Sequence, residues 1–212
     1  MADSDTIIDR LLDRHGRTYC DELGIDIAKN TPSLLFRWLV ASILYSARIN
    51  ADNATRTASA LTDAGMTTAD KMAAASWQDR VDVLSTSGYK RFDESYSRNL
   101  GDMAETLRDD YGGDLRELRA AADQDPREMR KRLKAFKGLG EVGIDIFFRE
   151  VQLAWPELRP FADKKALKAA KKLGLPTTAE GLAEKAGEED FPRLVAALVR
   201  TELAKDHEVL KS

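Results

Sequence analysis

The chain has 212 residues, of which 43% are hydrophobic and 33% charged, with a formal net charge of −3. That composition suits one compact unit, or two lobes, with a sizeable core. The single cysteine, Cys20, excludes an internal disulfide and any four-cysteine zinc or iron–sulfur site. No apolar run approaches the ~20 residues of a membrane span, and the acidic start (Asp3, Asp5) is unlike a signal peptide, so a soluble intracellular protein is expected. The charge is uneven. Residues 127–172 hold 13 Lys and Arg against 6 Asp and Glu, a surplus of 7, which leaves −10 for the rest. A basic surface on an acidic body is the footprint of phosphate contact, and equally a set of solvated helix faces.

The pattern is helical almost throughout, with no run of alternating β-branched residues, and predicts an all-α fold. Ile7, Ile8, Leu11 and Leu12 mark an amphipathic helix that Gly16 or Gly24 ends. Thr31 and Pro32 read as N-cap and first turn of a helix that is apolar nearly all round and is expected at the centre of the core. Helices follow over 51–64, 67–74 and 76–84, a turn at Ser87-Gly88-Tyr89, a helix over 92–110 stopped by Gly112-Gly113, and a short one near 114–122. Met129, Leu133 and Phe136 then line one face of a basic helix. After a glycine turn, Ile144, Phe147, Phe148, Val151 and Trp155 form the stripe of the next, with Asp145 and Arg149 facing out as an i,i+4 pair. Asp163 precedes a helix whose apolar face is Ala166, Leu167, Ala170 and Leu173, with Gly174 as its C′ residue. Residues 177–212 read as one or two acidic amphipathic helices.

The stretch Gly138-Leu139-Gly140-Glu141-Val142-Gly143 raises the functional question. Glycine admits a tight turn and a close backbone approach. The helix that starts here directs unpaired N–H groups and the positive end of its dipole toward the turn. Together these can hold a backbone phosphate without reading sequence. The same turn also joins ordinary antiparallel helices. Within it, Val142 reads as a buried apolar residue.

Several segments together resemble the helix–hairpin–helix DNA glycosylase superfamily, whose founding member is endonuclease III. The family hairpin reads approximately Leu-Pro-Gly-Val-Gly-Arg-Lys-Thr-Ala, and residues 136–144 match it. The family's following Asp, in a segment like Val-Asp-Thr-His-Val, is matched by Asp163 between Ala162 and Lys164, with the helix ending at Leu173-Gly174. Upstream, "LLFRWLVASILYSARINAD" resembles the family's central helix and "STSGYKRFDESYSRNL" its Gly-aromatic-Tyr-Arg segment. The likeness runs from about residue 30 to about 175.

The resemblance implies a two-lobed helical fold: a domain over 28–155 ending in the helix–hairpin–helix motif (about 127–154), and a second built from 1–27 plus 156–212. It implies a monomer acting on double-stranded DNA, cytoplasmic or nucleoid-associated, with no membrane contact. Such enzymes flip a damaged or mismatched base and cut its N-glycosidic bond. Asp163 matches the carboxylate that stabilises the cationic sugar; it also reads as an N-cap. Val142 stands where bifunctional members carry the Schiff-base lysine, so the implied activity is monofunctional, without strand cleavage. Lys137, Gly138, Leu139, Gly140, Val142 and Gly143 fall on the DNA grip, Lys164, Lys165 and Lys168 on further phosphate contacts. Arg48 matches a gap-filling residue and Tyr89 a wedge, against plain readings as a surface arginine and a packed tyrosine. Trp38, Tyr45 and Phe161 are pocket or core aromatics. Glu141 replaces the family's Arg. The only ion with a place in this picture is a monovalent or divalent cation at the hairpin; no iron–sulfur cluster is expected. The alternative is a DNA-binding module without catalysis.

Overall fold

A computed structural model describes residues 3–211. The helices are, in chain order, α1 (Ser4–His15), α2 (Tyr19–Glu22), α3 (Pro32–Tyr45), α4 (Ala51–Asp63), α5 (Ala69–Ala74), α6 (Trp77–Leu84), α7 (Asp93–Tyr111), α8 (Leu115–Ala121), α9 (Pro126–Leu133), α10 (Glu141–Val151), α11 (Lys164–Leu173), α12 (Ala179–Ala204) and α13 (His207–Lys211). The described residues contain no strand, so the fold is all-α. None of these helices is long and apolar enough to cross a membrane. The chain divides into two compact units. One is Leu23–Phe147; the other joins the residues up to Glu22 with those from Phe148 on. The division falls at 22/23 and, inside α10, at 147/148, where the sequence reading set 27/28 and 155/156.

In the unit Leu23–Phe147, α3 is buried on every side, from Leu35 and Phe36 to Ile43 and Leu44. Thr31 takes the N-cap position in extended backbone, but its hydroxyl caps nothing; its carbonyl accepts from Leu35 N–H at 3.0 Å. Side-chain caps start the neighbouring helices instead. Asn50 serves α4, Thr68 α5, Asp114 α8 and Asp125 α9, and a Ser76–Asp79 capping box opens α6.

Arg80 is the buried cation of this unit. Its Nε donates to Ser97 O at 3.0 Å, and its Nη1 to Met72 O at 2.9 Å and Ala75 O at 2.6 Å. The guanidinium thus satisfies carbonyls at the end of α5 that no helical N–H can reach. Gly101, inside α7, makes room for it: a Cβ there would lie 2.6 Å from Arg80 Nη2. Between α6 and α7, residues 85–89 form a π turn rather than a plain one. It closes with Gly88 at φ 131°, where a Cβ would stand 3.1 Å from the Asn53 side chain.

In the unit of the two termini, α12 packs against both α1 and α11. It is broken at Gly187 (φ 76°, ψ 161°). Its second part is not the amphipathic helix the sequence suggested. Phe191, Pro192 and residues 194–199 are all buried. No acidic residue falls between Asp190 and Glu202, and the apolar run there goes nearly round the helix, so it becomes the central helix of its unit. Charged side chains close the periphery. Asp206 Oδ2 accepts from Arg14 Nε at 2.8 Å and lies 2.9 Å from His15 Nε2. Glu202 gathers Lys168 at 2.7 Å, Lys172 at 2.8 Å and His207 at 3.0 Å.

Two outcomes follow from these contacts. Alanine normally favours a helix over glycine by about 1 kcal/mol, yet Gly101→Ala must displace a guanidinium whose charged hydrogen bonds are each worth about 1.5–3 kcal/mol. A net loss of about 1–3 kcal/mol in urea unfolding is expected; a variant as stable as the parent would refute the role given to Arg80. Hydrogen bonds from Lys168 and Lys172 pull the Glu202 carboxyl down to about 2, from 4.5 in a free chain. Its stabilisation is therefore complete above 4.5 and lost as pH falls toward 2. The stability gap between the parent and Glu202→Gln should shrink between about pH 6 and about pH 3 in denaturant titrations.

Candidate nucleic-acid interface

The glycine turn lies in the unit Leu23–Phe147. Two buried side chains, Phe136 and Leu139, pin it from below, and Leu139 N–H closes it onto Phe136 O at 3.2 Å. Between them Lys137 and Gly138 are exposed. Gly138 has φ +79°, the left-handed region, and a Cβ there would also lie 3.0 Å from Asn99 Cβ. Glycine is required twice over. Gly143 serves packing: a Cβ on it would come within 2.8 Å of Leu139 Cδ1. Gly140 faces open space, with nothing within 4 Å of a Cβ.

Gly140 also begins α10, its carbonyl accepting from Ile144 N–H at 3.0 Å. The N–H groups of residues 140–143 have no backbone acceptor among the described residues. Gly140, Glu141 and Val142 are exposed. Unpaired donors, the positive end of a helix dipole and an open approach therefore coincide.

Val142 is 58% exposed, not buried. At about 100° per residue it stands roughly 200° round the helix from Ile144, opposite the apolar stripe. Its side chain is free to touch a ligand but carries no amine.

The charges beside the turn are mostly spoken for. Glu141 binds Lys134 and also Arg130, the latter at 2.9 Å, and Asp145 holds Arg130 from the other side at 2.7 Å. The expected Asp145–Arg149 pair therefore does not form. Hydrogen bonds from Lys134 and then Arg130 lower the Glu141 carboxyl below its usual value. Arg127 and Lys137 meet no carboxylate within ion-pairing distance among the described residues.

Tyr89 lies in the core of this unit. It is 1% exposed and its hydroxyl donates to Leu44 O. The wedge assignment is corrected to the packed tyrosine, because the π turn folds its ring inward against Tyr96. Arg48 is exposed in the bend after α3. Trp38 is buried and donates to Phe147 O at 3.0 Å, and the Tyr45 hydroxyl meets Thr55 Oγ1 at 2.7 Å, so both serve packing.

Asp163 belongs to the unit of the termini. It caps α11, its Oδ1 accepting from Ala166 N–H at 2.9 Å. Its Oδ2 takes both Nε (3.1 Å) and Nη2 of Arg149. Asp163 is 7% exposed and Arg149 is equally buried. Burial alone would raise the Asp163 carboxyl, but the Arg149 charge, its hydrogen bonds and the Ala166 N–H outweigh it and hold it below the usual range. Phe161 stacks edge-on to Phe148, with ring centroids 5.6 Å apart. On α11, Lys164 and Lys165 are exposed, while Lys168 is taken by Glu202. Among the described residues no group of three or more His, Cys, Asp or Glu is arranged to hold a metal.

The burial of three polar side chains around the end of α10 was not read from the sequence. Arg149 is one. Glu150, fully buried, accepts from Tyr19 N–H at 2.8 Å and Cys20 N–H at 2.6 Å, and so caps α2 from afar; burial raises its carboxyl. Gln152 binds Arg149 O, Phe161 O and Phe161 N–H, at 2.7, 3.0 and 3.0 Å. The available signal was Arg-Glu-x-Gln inside a stripe bounded by Phe148 and Trp155, where polar residues must find internal partners.

No protein-family model, curated protein or solved structure matches the chain.

Removing one member of a buried ion pair strands the other, at about 3–5 kcal/mol. Arg149→Met should lose stability of that order in urea unfolding, and adding Asp163→Asn should recover most of it, since Asn still caps α11. The pair's contribution is present above the free-chain Asp value of 3.8 and lost as pH falls through the lower folded-state value.

Proposed function

We propose that this protein binds duplex DNA through the glycine turn before α10, on a two-lobed helical scaffold of the helix–hairpin–helix glycosylase type. The observation that carries the reading is the coincidence at residues 138–142 of a left-handed glycine, unpaired helix-start N–H groups, open space before Gly140 and the uncommitted Lys137. Such a cradle suits one phosphate oxygen group and ignores the bases. Collinear segments resembling that superfamily over about residues 30–175 support the choice of DNA over other phosphates. The chain would act as a monomer on the duplex, with Lys164 and Lys165 as further cations available to phosphates.

Two forms of this function stand apart. Excision of a damaged base is favoured by Asp163, an ionised carboxylate at the start of α11 and the match to the family's catalytic residue. Binding without excision is favoured by what surrounds that carboxylate. Arg149 neutralises it, and both its oxygens already accept hydrogen bonds. A charge stabiliser works by facing the developing cation with its own charge uncompensated. Asp163 lacks that freedom, so the geometry supports binding alone better than base release. Strand cleavage is the least supported form: Val142 offers no nucleophile, and the amines beside Asp163, Lys164 and Lys165, are assigned first to phosphate contact.

Duplexes containing uracil, hypoxanthine, alkylated purines or oxidised bases separate these forms. The expected result is salt-sensitive binding to all of them, weakened by Lys137→Ala with a loss of about one from the log–log salt slope, and no alkali-labile sites. Base release from any lesion, abolished by Asp163→Asn, would establish the glycosylase instead. Absence of binding even at low salt would overturn both.

A further inference from the structure

Two of the cations beside the turn, unlike Lys137, are already bound. Arg130 and Lys134 come from the end of α9, and both reach across to Glu141, the first residue of α10. Glu141 is itself exposed. Its carboxylate is therefore open to solvent and held by two cations, on the first residue of a helix whose dipole presents its positive end at the same turn. That is the environment the turn would otherwise offer a phosphate. An acidic residue in a helix's first turn is ordinary. One that also gathers the flanking Lys and Arg across the turn does more than satisfy the dipole. Asp145 keeps a second hold on Arg130 at 2.7 Å, so the guanidinium stays beside the turn when Glu141 lets go.

We propose that Glu141 is an internal stand-in for the DNA phosphate. In the free protein its carboxylate occupies Arg130 and Lys134; when duplex docks at the turn, both cations pass to a backbone phosphate and Glu141 swings into solvent. This inference rests on the DNA-binding reading of the same turn. Its consequence is selectivity by competition. A lone polyanion gains little, because each cation it takes leaves a carboxylate behind. A duplex gains, because its phosphates also meet the N–H groups of residues 140–143 and Lys137. The chain thus holds DNA weakly at any one contact and tolerates its net acidity.

The test compares wild type with Glu141→Gln, which keeps the shape and removes the charge at an exposed site. The probe is an undamaged duplex of about two helical turns, titrated over a range of KCl concentrations. Glu141→Gln is expected to bind about 3–10-fold more tightly at low salt. Its log–log slope should steepen by up to about one, because the wild-type carboxylate stays near the interface and offsets one of the cations that displace DNA counterions, and the amide does not. In the Glu141→Gln background, Lys134→Ala should weaken binding more than it does in wild type, since the lysine is then free for phosphate in every molecule. Thermal melting run alongside separates any change in helix stability from the binding effect. Equal affinity and equal slope for the two proteins, with wild type binding DNA, would overturn this inference and leave the DNA-binding reading intact. If neither protein binds, both fall. Binding by Glu141→Gln alone would support competition by Glu141 for the turn and overturn DNA binding as a property of the wild-type chain.

Discussion

A buried charge is tolerated only where its partners come with it, and α10 carries that constraint into the unit of the termini. Arg149, Glu150 and Gln152 follow one another at the end of an apolar helix, and each is satisfied by a segment distant in sequence. Arg149 takes the start of α11, Glu150 the start of α2, and Gln152 the peptide at Phe161. Burial penalises each ionised group by several kcal/mol, so an arrangement that leaves one unpaired loses more than any single contact returns. The three side chains thereby fix where α2 and α11 begin and how the chain runs between them. The hydrophobic stripe alone could slide; three specific polar matches cannot.

The same constraint shapes the chemistry. Asp163 does two structural tasks, capping a helix and neutralising a buried guanidinium, and both consume the oxygens a catalytic carboxylate would present. The glycine turn shows the opposite arrangement. Its apolar parts, Phe136 and Leu139, face inward, and its backbone donors are left open. Rigidity at Asp163 and availability at the turn are together why the proposed reading is binding rather than base release.

Much of the architecture was legible. The all-α class, the buried α3, the stop at Gly112-Gly113 and the helix from Lys164 to Leu173 all follow from periodicity, caps and glycine positions. Less was legible wherever long-range partners decide. Asp145 and Arg149 look like an i,i+4 pair because both are charged, but the helix turns one toward Arg130 and the other into the interior. Tyr89 allowed both a wedge and a packed tyrosine, because the turn before it does not fix where the ring goes; the π turn folds it inward to Leu44. The 191–199 segment was misread because the acidic residues before it coloured the whole tail. Period and composition are local quantities; the partner of a buried charge is not.

Charge balance bears on the proposed DNA binding. Residues 127–172 carry a surplus of cations, but the structure returns carboxylates to many of them: Glu141 and Asp145 to Arg130 and Lys134 in one unit, Asp163 to Arg149 and Glu202 to Lys168 and Lys172 in the other. Among the described residues, the cations of this stretch that bind neither a carboxylate nor a carbonyl are exposed: Arg127 and Lys137 in one unit, Lys164, Lys165 and Lys171 in the other. An acidic protein that holds DNA cannot rely on a broad positive field. It needs short-range donors with fixed geometry, which oriented backbone N–H groups provide at no cost in net charge. The glycine turn is therefore not an accessory to a basic patch. On the proposed DNA-binding reading, it would be the main device by which a chain of net charge −3 holds a phosphate, and the surrounding ion pairs would set how much help it receives.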